Sequence, residues 1–247
     1  MKQASLDDLW NSAKASEARF EPAQLADLPE PVRRYLQHAI APGTPLASVV
    51  RLRMHGEIKI KRWYPFSAEQ MICWSRGFIW QAAARMGPLT IRGSDRYVDG
   101  YGAMRWKFFG LVPFLAASGA DITRSAAGRV NLECAWLPSV LCGKDVSWSA
   151  SGSSHIRASF KAHGEMADIS FEIDENGALK ALSAPRWGNP EGAAFHYATF
   201  GGFAANEATF GGYTIPTSFR AGWHFASDRF ESEGEFFRVS FETVEYK

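Results

Sequence analysis

The stretch Asp121 to Leu141, DITRSAAGRVNLECAWLPSVL, is strongly helical in pattern and lies between two long runs of strand-like sequence, and this limits the folds open to the chain. Ile122, Ala126, Val130, Cys134, Leu137 and Leu141 recur at helical spacing and lay one apolar stripe along it. Leu132, Trp136 and Val140 widen that stripe beyond half the circumference, so such a helix has to be covered on several sides. Asp121 is suited to the N-cap. Pro138 ends or bends the helix after Leu137, because it lacks an N–H and crowds the carbonyl four residues back. The expectation is a plug lying in the concavity of a curved sheet.

The flanking runs supply the sheet. From Val50 to Lys61 the apolar Val50, Leu52, Met54, Ile58 and Ile60 alternate with Arg51, Arg53, His55, Glu57, Lys59 and Lys61, the period of a strand with one wet face. Ser75-Arg76-Gly77, Met86-Gly87-Pro88 and Asp99-Gly100-Tyr101-Gly102 provide turn residues at hairpin lengths. Leu111 to Ala120 reads as a buried connector into the helix. Beyond it the alternation Ile156, Ala158, Phe160, Ala162 inverts after His163-Gly164, as a hairpin reversal requires. Segments near 193–200 and 206–210 read as two strands. Helices are expected over 5–19 and 28–41, the second opened by Pro29 and Pro31. The fold class is therefore α+β, mainly β: a curved antiparallel sheet of about eleven strands, a half-barrel, wrapped around a central helix. Residues 1–45 form an N-terminal helical lead-in, and 46–247 a single curved-sheet domain with the inserted helix near 121–141.

Charge and cysteine usage remove several function classes. Lys plus Arg number 27 against 26 Asp plus Glu, so nothing in the overall balance points to nucleic acid or an anionic membrane. The three cysteines, Cys73, Cys134 and Cys142, have no paired spacing and read as reduced thiols. No apolar run is long enough for a signal peptide or a transmembrane helix, and the chain as it stands reads as soluble and cytoplasmic. The nucleophile elbow, the phosphate-binding loop and the H-E-x-x-H zinc motif are all missing. His-Gly-Glu occurs at 55–57 and 163–165, but His55 falls on the charged face and His163 at a reversal, so neither a metal nor a cofactor is expected.

Aromatic residues and inward polar residues remain as leads. With 18 Phe and 9 Trp the chain carries more aromatic volume than an average core needs. Trp80, Trp106, Trp136, Trp148, Trp187 and Trp223 are candidates to line a cavity, although a tryptophan in such a place is more often plain core. Arg124 and Arg186 are candidates to face a ligand headgroup, since a cation among apolar residues persists only when paired or used. Arg129 and Glu133, four apart, read as a surface helix pair. The favoured reading is non-catalytic binding or carriage of a lipophilic small molecule between sheet and helix. One alternative is an enzyme with His196, Arg186 and Glu133 converging at the rim. Another is an interaction module that docks a partner through an edge strand or the N-terminal helices.

The runs R-G-S-D-R-Y at 92–97, E-C-A-W-L-P-S-V-L ending at Leu141, G-Y-T-I-P at 212–216 and E-G-E-F-F-R at 233–238 resemble a bacterial family with no settled activity. Its W-L-P-S-x-L element is the most specific part, and the N-terminal membrane segment of some relatives has no counterpart here. The order of helix, strands, inserted helix and strands is similar to the half-barrel of the LolA and LolB lipoprotein carriers and the LppX-type lipid binders. That resemblance implies a sheet curled around helices with room for acyl chains.

Overall fold

The computed structural model describes residues 3–247, so of the N-terminal lead-in only residues 1 and 2 lie outside the described part. Two antiparallel meanders make one sheet. The first runs through β1 (Val49–Ile60), β2 (Arg62–Cys73), β3 (Gly77–Met86), β4 (Leu89–Val98), β5 (Tyr101–Phe108) and β6 (Val112–Ser118). The second runs through β7 (Ser147–Ser151), β8 (His155–Ala162), β9 (Glu165–Ile173), β10 (Leu179–Gly188), β11 (His196–Phe210), β12 (Tyr213–Trp223) and β13 (Glu235–Tyr246). They join where β1 pairs with β13, Val50 opposite Tyr246, giving the order β6-β5-β4-β3-β2-β1-β13-β12-β11-β10-β9-β8-β7.

This topology leaves β6 and β7 at opposite edges, and the chain between them carries α3 (Ala120–Leu132). Laid flat, thirteen strands would span about 58 Å, whereas a helix of this length covers about 20 Å. The sheet instead curls, so that α3 touches β3, β4, β5 and β6 with one side and β9 and β10 with the other. The close seat against β5 depends on Gly102, where a Cβ would come within 2.5 Å of the Thr123 Cα. The Gly102 N–H donates to Thr123 Oγ1 at 3.0 Å.

Several sequence expectations need correction. The sheet has thirteen strands where about eleven were expected. Residues 111–120, read as a buried connector, form the exposed edge strand β6, with Leu111 79% exposed. The strands expected near 193–200 and 206–210 are one continuous β11. The inserted helix does not run to Leu141: past Leu132 it tightens into 3-10 turns at Glu133–Trp136 and Pro138–Cys142. Pro138 imposes that change, and the tighter turns seat Trp136, Leu137 and Leu141 in the core. Gly119 rather than Asp121 is the N-cap, and the Asp121 carboxylate instead accepts the Trp187 indole N–H at 2.9 Å. Nor is α3 apolar around most of its girth, because Thr123, Ser125, Arg129 and Asn131 all hydrogen-bond to the strands around it.

The N-terminal helices are shorter than expected. A capping box between Ser5 and Asp8 starts α1 (Leu6–Ser12), which lays Leu6 and Leu9 on Val49, Met71 and Ile79. The chain then extends so that Phe20 can enter the main core, its N–H donating to the Thr44 carbonyl. Helix α2 (Glu30–Ala39) buries Val32, Tyr35 and Leu36 in that same core, with the Tyr35 ring 5.4 Å from Phe171. The core therefore continues from α2 through the sheet's inner face to Trp136.

Candidate functional site

Strand register brings the site together. Leu52 pairs with Gln70, Gln70 with Trp80, Trp80 with Asp95 and Asp95 with Met104, so one row of side chains crosses five strands on the same face. From the other meander come Phe200 and Trp223, which are paired, and Arg186 near the end of β10. Between these walls and α3 lies a cavity of about 310 Å3. Its lining is mainly apolar: Leu52, Met54, Ile58, Leu132, Leu182, Val239, Trp80, Trp136, Trp223 and the rings of Phe200, Phe219, Phe236, Phe237 and Phe241.

One wall is polar. Arg129 donates to Glu133 Oε1 at 2.8 Å, to Asp95 Oδ2 at 3.4 Å and to Gln70 Oε1 at 3.3 Å. Gln70 Nε2 donates to Glu133 Oε2 at 2.6 Å, and Trp106 Nε1 to Asp95 Oδ1 at 2.9 Å. The Trp106 ring reaches this position by lying across Gly93, where a Cβ would come within 2.4 Å of it. Burial pushes the Asp95 carboxyl above its ordinary value, opposed by Arg129. Arg186 sits at the cavity edge with Nε on the Ser125 carbonyl at 3.1 Å and its guanidinium 4.7 Å from the Phe200 ring centre. Burial, reinforced by the neighbouring Arg129, pushes its pKa down to about 9.

Of the residues singled out from sequence, Trp80, Glu133, Trp136, Arg186 and Trp223 line this cavity. Trp106 stands behind it, 5.6 Å from Trp80. Trp148 packs elsewhere, against Tyr35 and Phe171, and donates to the Leu141 carbonyl. Arg124 and Trp187 form an outer cluster with Tyr197 and Glu165: the Arg124 guanidinium lies 4.2 Å over the Trp187 ring, donates to Glu165 at 3.0 Å and so pins α3 to β9 and β11. His196 is exposed beside Glu191, 3.7 Å away, and does not meet Arg186 or Glu133. Arg129 and Glu133 are an interior pair rather than the expected surface pair, with side chains 20% and 12% exposed. Among the described residues no cluster of three or more His, Cys, Asp or Glu could hold a metal ion.

Gln70 and Asp95 were missed. Both positions were readable, since Asp95 alternates in phase with Ile91 and Tyr97, which are buried, and an acid on that inward face needs a partner. That the partner is Arg129 follows only from the curl of the sheet.

A family model described as a family of unknown function, DUF6920, matches residues 26–246. The chain belongs to that family. The DUF6920 match spans α2, both meanders and α3, and takes in the Trp136–Leu141 element that carried the resemblance in the sequence. No curated protein matches. Two crystal structures are similar across most of their length. One, described as an outer membrane lipoprotein-sorting protein domain from Vibrio parahaemolyticus, has a TM-score of 0.38 at 8% identity, over 81% of this chain and 86% of that one. The other, a LolA superfamily protein from Nitrosomonas europaea, has a TM-score of 0.43 at 9% identity, over 88% and 92%. At that level of similarity neither carries a ligand or an activity across. Among the described residues no helix is long and apolar enough to cross a membrane.

Proposed function

We propose that this protein binds a lipophilic small molecule, without transforming it, in the cavity between the concave sheet and α3. The observation that carries this reading is the cavity itself: about 310 Å3 left open beneath a helix, walled by Phe, Trp and aliphatic side chains with polar groups confined to one side. Ligand pockets run from roughly 300 to 1,000 Å3 and share that lining, apolar with a few convergent polar groups. Native mass spectrometry of the purified protein, with solvent extraction of whatever it carries, tests the reading. Retention of a lipophilic molecule, or uptake of an added one at one per chain, is expected; a delipidated protein that takes up no apolar ligand of any headgroup overturns it.

A second reading draws support from the edge strand. Leu89, Phe109, Leu111, Val112, Phe114 and Leu115 are all exposed large apolar side chains at the β3–β4 turn, the β5–β6 turn or on β6. Arg85, Arg92, Arg105 and Lys107 are exposed nearby, and no acidic residue occurs at 81–94 or 100–120. Apolar side chains near exposed bases suit an anionic bilayer surface. Sedimentation with vesicles containing phosphatidylglycerol, but not with phosphatidylcholine alone, is the expected result, and Leu111→Ser with Phe114→Ser is expected to release the protein. Indifference to lipid charge or to those substitutions would rule the surface out.

A further inference from the structure

The cavity's polar wall is unevenly satisfied. All four carboxylate oxygens of Asp95 and Glu133 already accept hydrogen bonds, from Trp106, Arg129 and Gln70. Arg186 is the opposite case. Its Nε and Nη2 reach only the Ser125 carbonyl and, at 3.4 Å, the Ser125 hydroxyl, its Nη1 donates to no protein group, and among the described residues no carboxylate lies within ion-pair reach. The guanidinium is held in place by stacking, 4.7 Å from the Phe200 ring centre and 5.2 Å from that of Trp223, both of them cavity walls. The site therefore offers unused donors on an arginine that no carboxylate pairs directly, and no unused carboxylate.

We infer that the lipophilic ligand is a single-chain amphiphile with a carboxylate head, the head gripped by Arg186 and the chain lying among Trp80, Trp136 and Phe237. This rests on the cavity being a ligand site. An arginine fork with free donors matches a carboxylate with two parallel hydrogen bonds. The volume, near the lower limit for ligand pockets, accommodates one chain more readily than several. The depressed Arg186 pKa agrees, because burying this cation costs more than Glu133 and Asp95, which lie beyond ion-pair reach, give back.

The test compares dodecanoate, dodecanol and dodecyl phosphate on the full chain by displacement of a fluorescent apolar probe. Hydrogen bonds to a charged group make dodecanoate bind about 10- to 100-fold tighter than dodecanol. Arg186→Gln is expected to erase that preference, Arg186→Lys to retain part of it, and Arg124→Gln to leave it intact. Thermal unfolding confirms that the variants are folded, and the comparison of acid with alcohol needs no variant at all. Equal binding of acid and alcohol overturns the headgroup while the cavity reading stands. Binding of neither overturns the cavity reading and the headgroup with it. Tighter binding of the phosphate than of the acid overturns the carboxylate assignment.

Discussion

Replacing Trp136 by alanine measures how far the interior is packed and how far it is open. The Trp136 side chain is almost fully buried, with ring centroids 4.9 Å from Phe241 and 5.4 Å from Phe219, both edge to face. Each such pair contributes about 0.5–1.5 kcal/mol beyond area burial, and large aromatic-to-alanine changes in solid cores cost about 3–5 kcal/mol. Part of the ring, however, borders the 310 Å3 cavity and has no protein neighbour to lose. The expected cost is therefore at the lower end, about 3 kcal/mol. The contact from the Tyr246 hydroxyl goes to the Trp136 backbone carbonyl and survives the substitution, so the measurement reports the side chain. Urea unfolding followed by circular dichroism gives the number. A saturating apolar ligand, at a hundred times its Kd, is expected to restore about 2.7 kcal/mol. A loss of about 5 kcal/mol or more, unmoved by ligand, would mean a solid core and refute the argument; a loss under about 1 kcal/mol would mean the ring is not packed at all.

Other perturbations address the frame around the cavity. Gly102→Ala drives a methyl group into the backbone of α3 at Thr123 and is expected to cost about 1–3 kcal/mol in denaturant unfolding; a neutral result would show that α3 is not seated on β5. Arg129→Met strands Asp95 and Glu133 without their cation and is expected to cost about 3 kcal/mol at pH 7, less at acid pH where Asp95, already raised by burial, protonates, whereas a pH-independent loss would refute the pairing. Acid is expected to act in two windows, read by thermal melts at stepped pH. Burial holds His163 at about 4 against an ordinary 6.5, so it stays neutral when folded, and the stability this gives above pH 6.5 is lost as pH falls toward 4. Hydrogen bonds from Arg220 and then Arg238 hold Glu235 at about 2 against 4.5; that contribution, about 1–2 kcal/mol after screening at the half-exposed arginines, is complete above pH 4.5 and lost as pH falls through 2. Glu235→Gln is expected to abolish the lower window alone, and its persistence would discount the cluster.

Alternation along β1, the inversion around His163-Gly164 and the hairpin turns were legible because a strand's period and its turn chemistry are written locally, within a few residues. The presence of a helix between the meanders, and the family, were legible in the same way. Half of the ten candidate site residues line the cavity, Glu133 among them although its spacing from Arg129 read as a surface pair. The others diverge for reasons no local pattern carries. Trp148 faces α2 because β7 lies at the far edge, and Arg124 faces outward because α3 presents Arg129 to the interior instead. β6 looked like core because it is apolar, yet it is an edge strand almost all of whose side chains stay exposed.

The sequence by itself determined the elements, their turns and which face of most strands is apolar, since those depend on neighbours two to four residues away. Only the tertiary structure decided that β1 pairs with β13, that the sheet curls until α3 bridges its two arms, and that Asp95, Arg129 and Arg186 share one cavity. The reason is that curvature is the summed twist of thirteen strands, and the side chains it brings together are far apart in the chain.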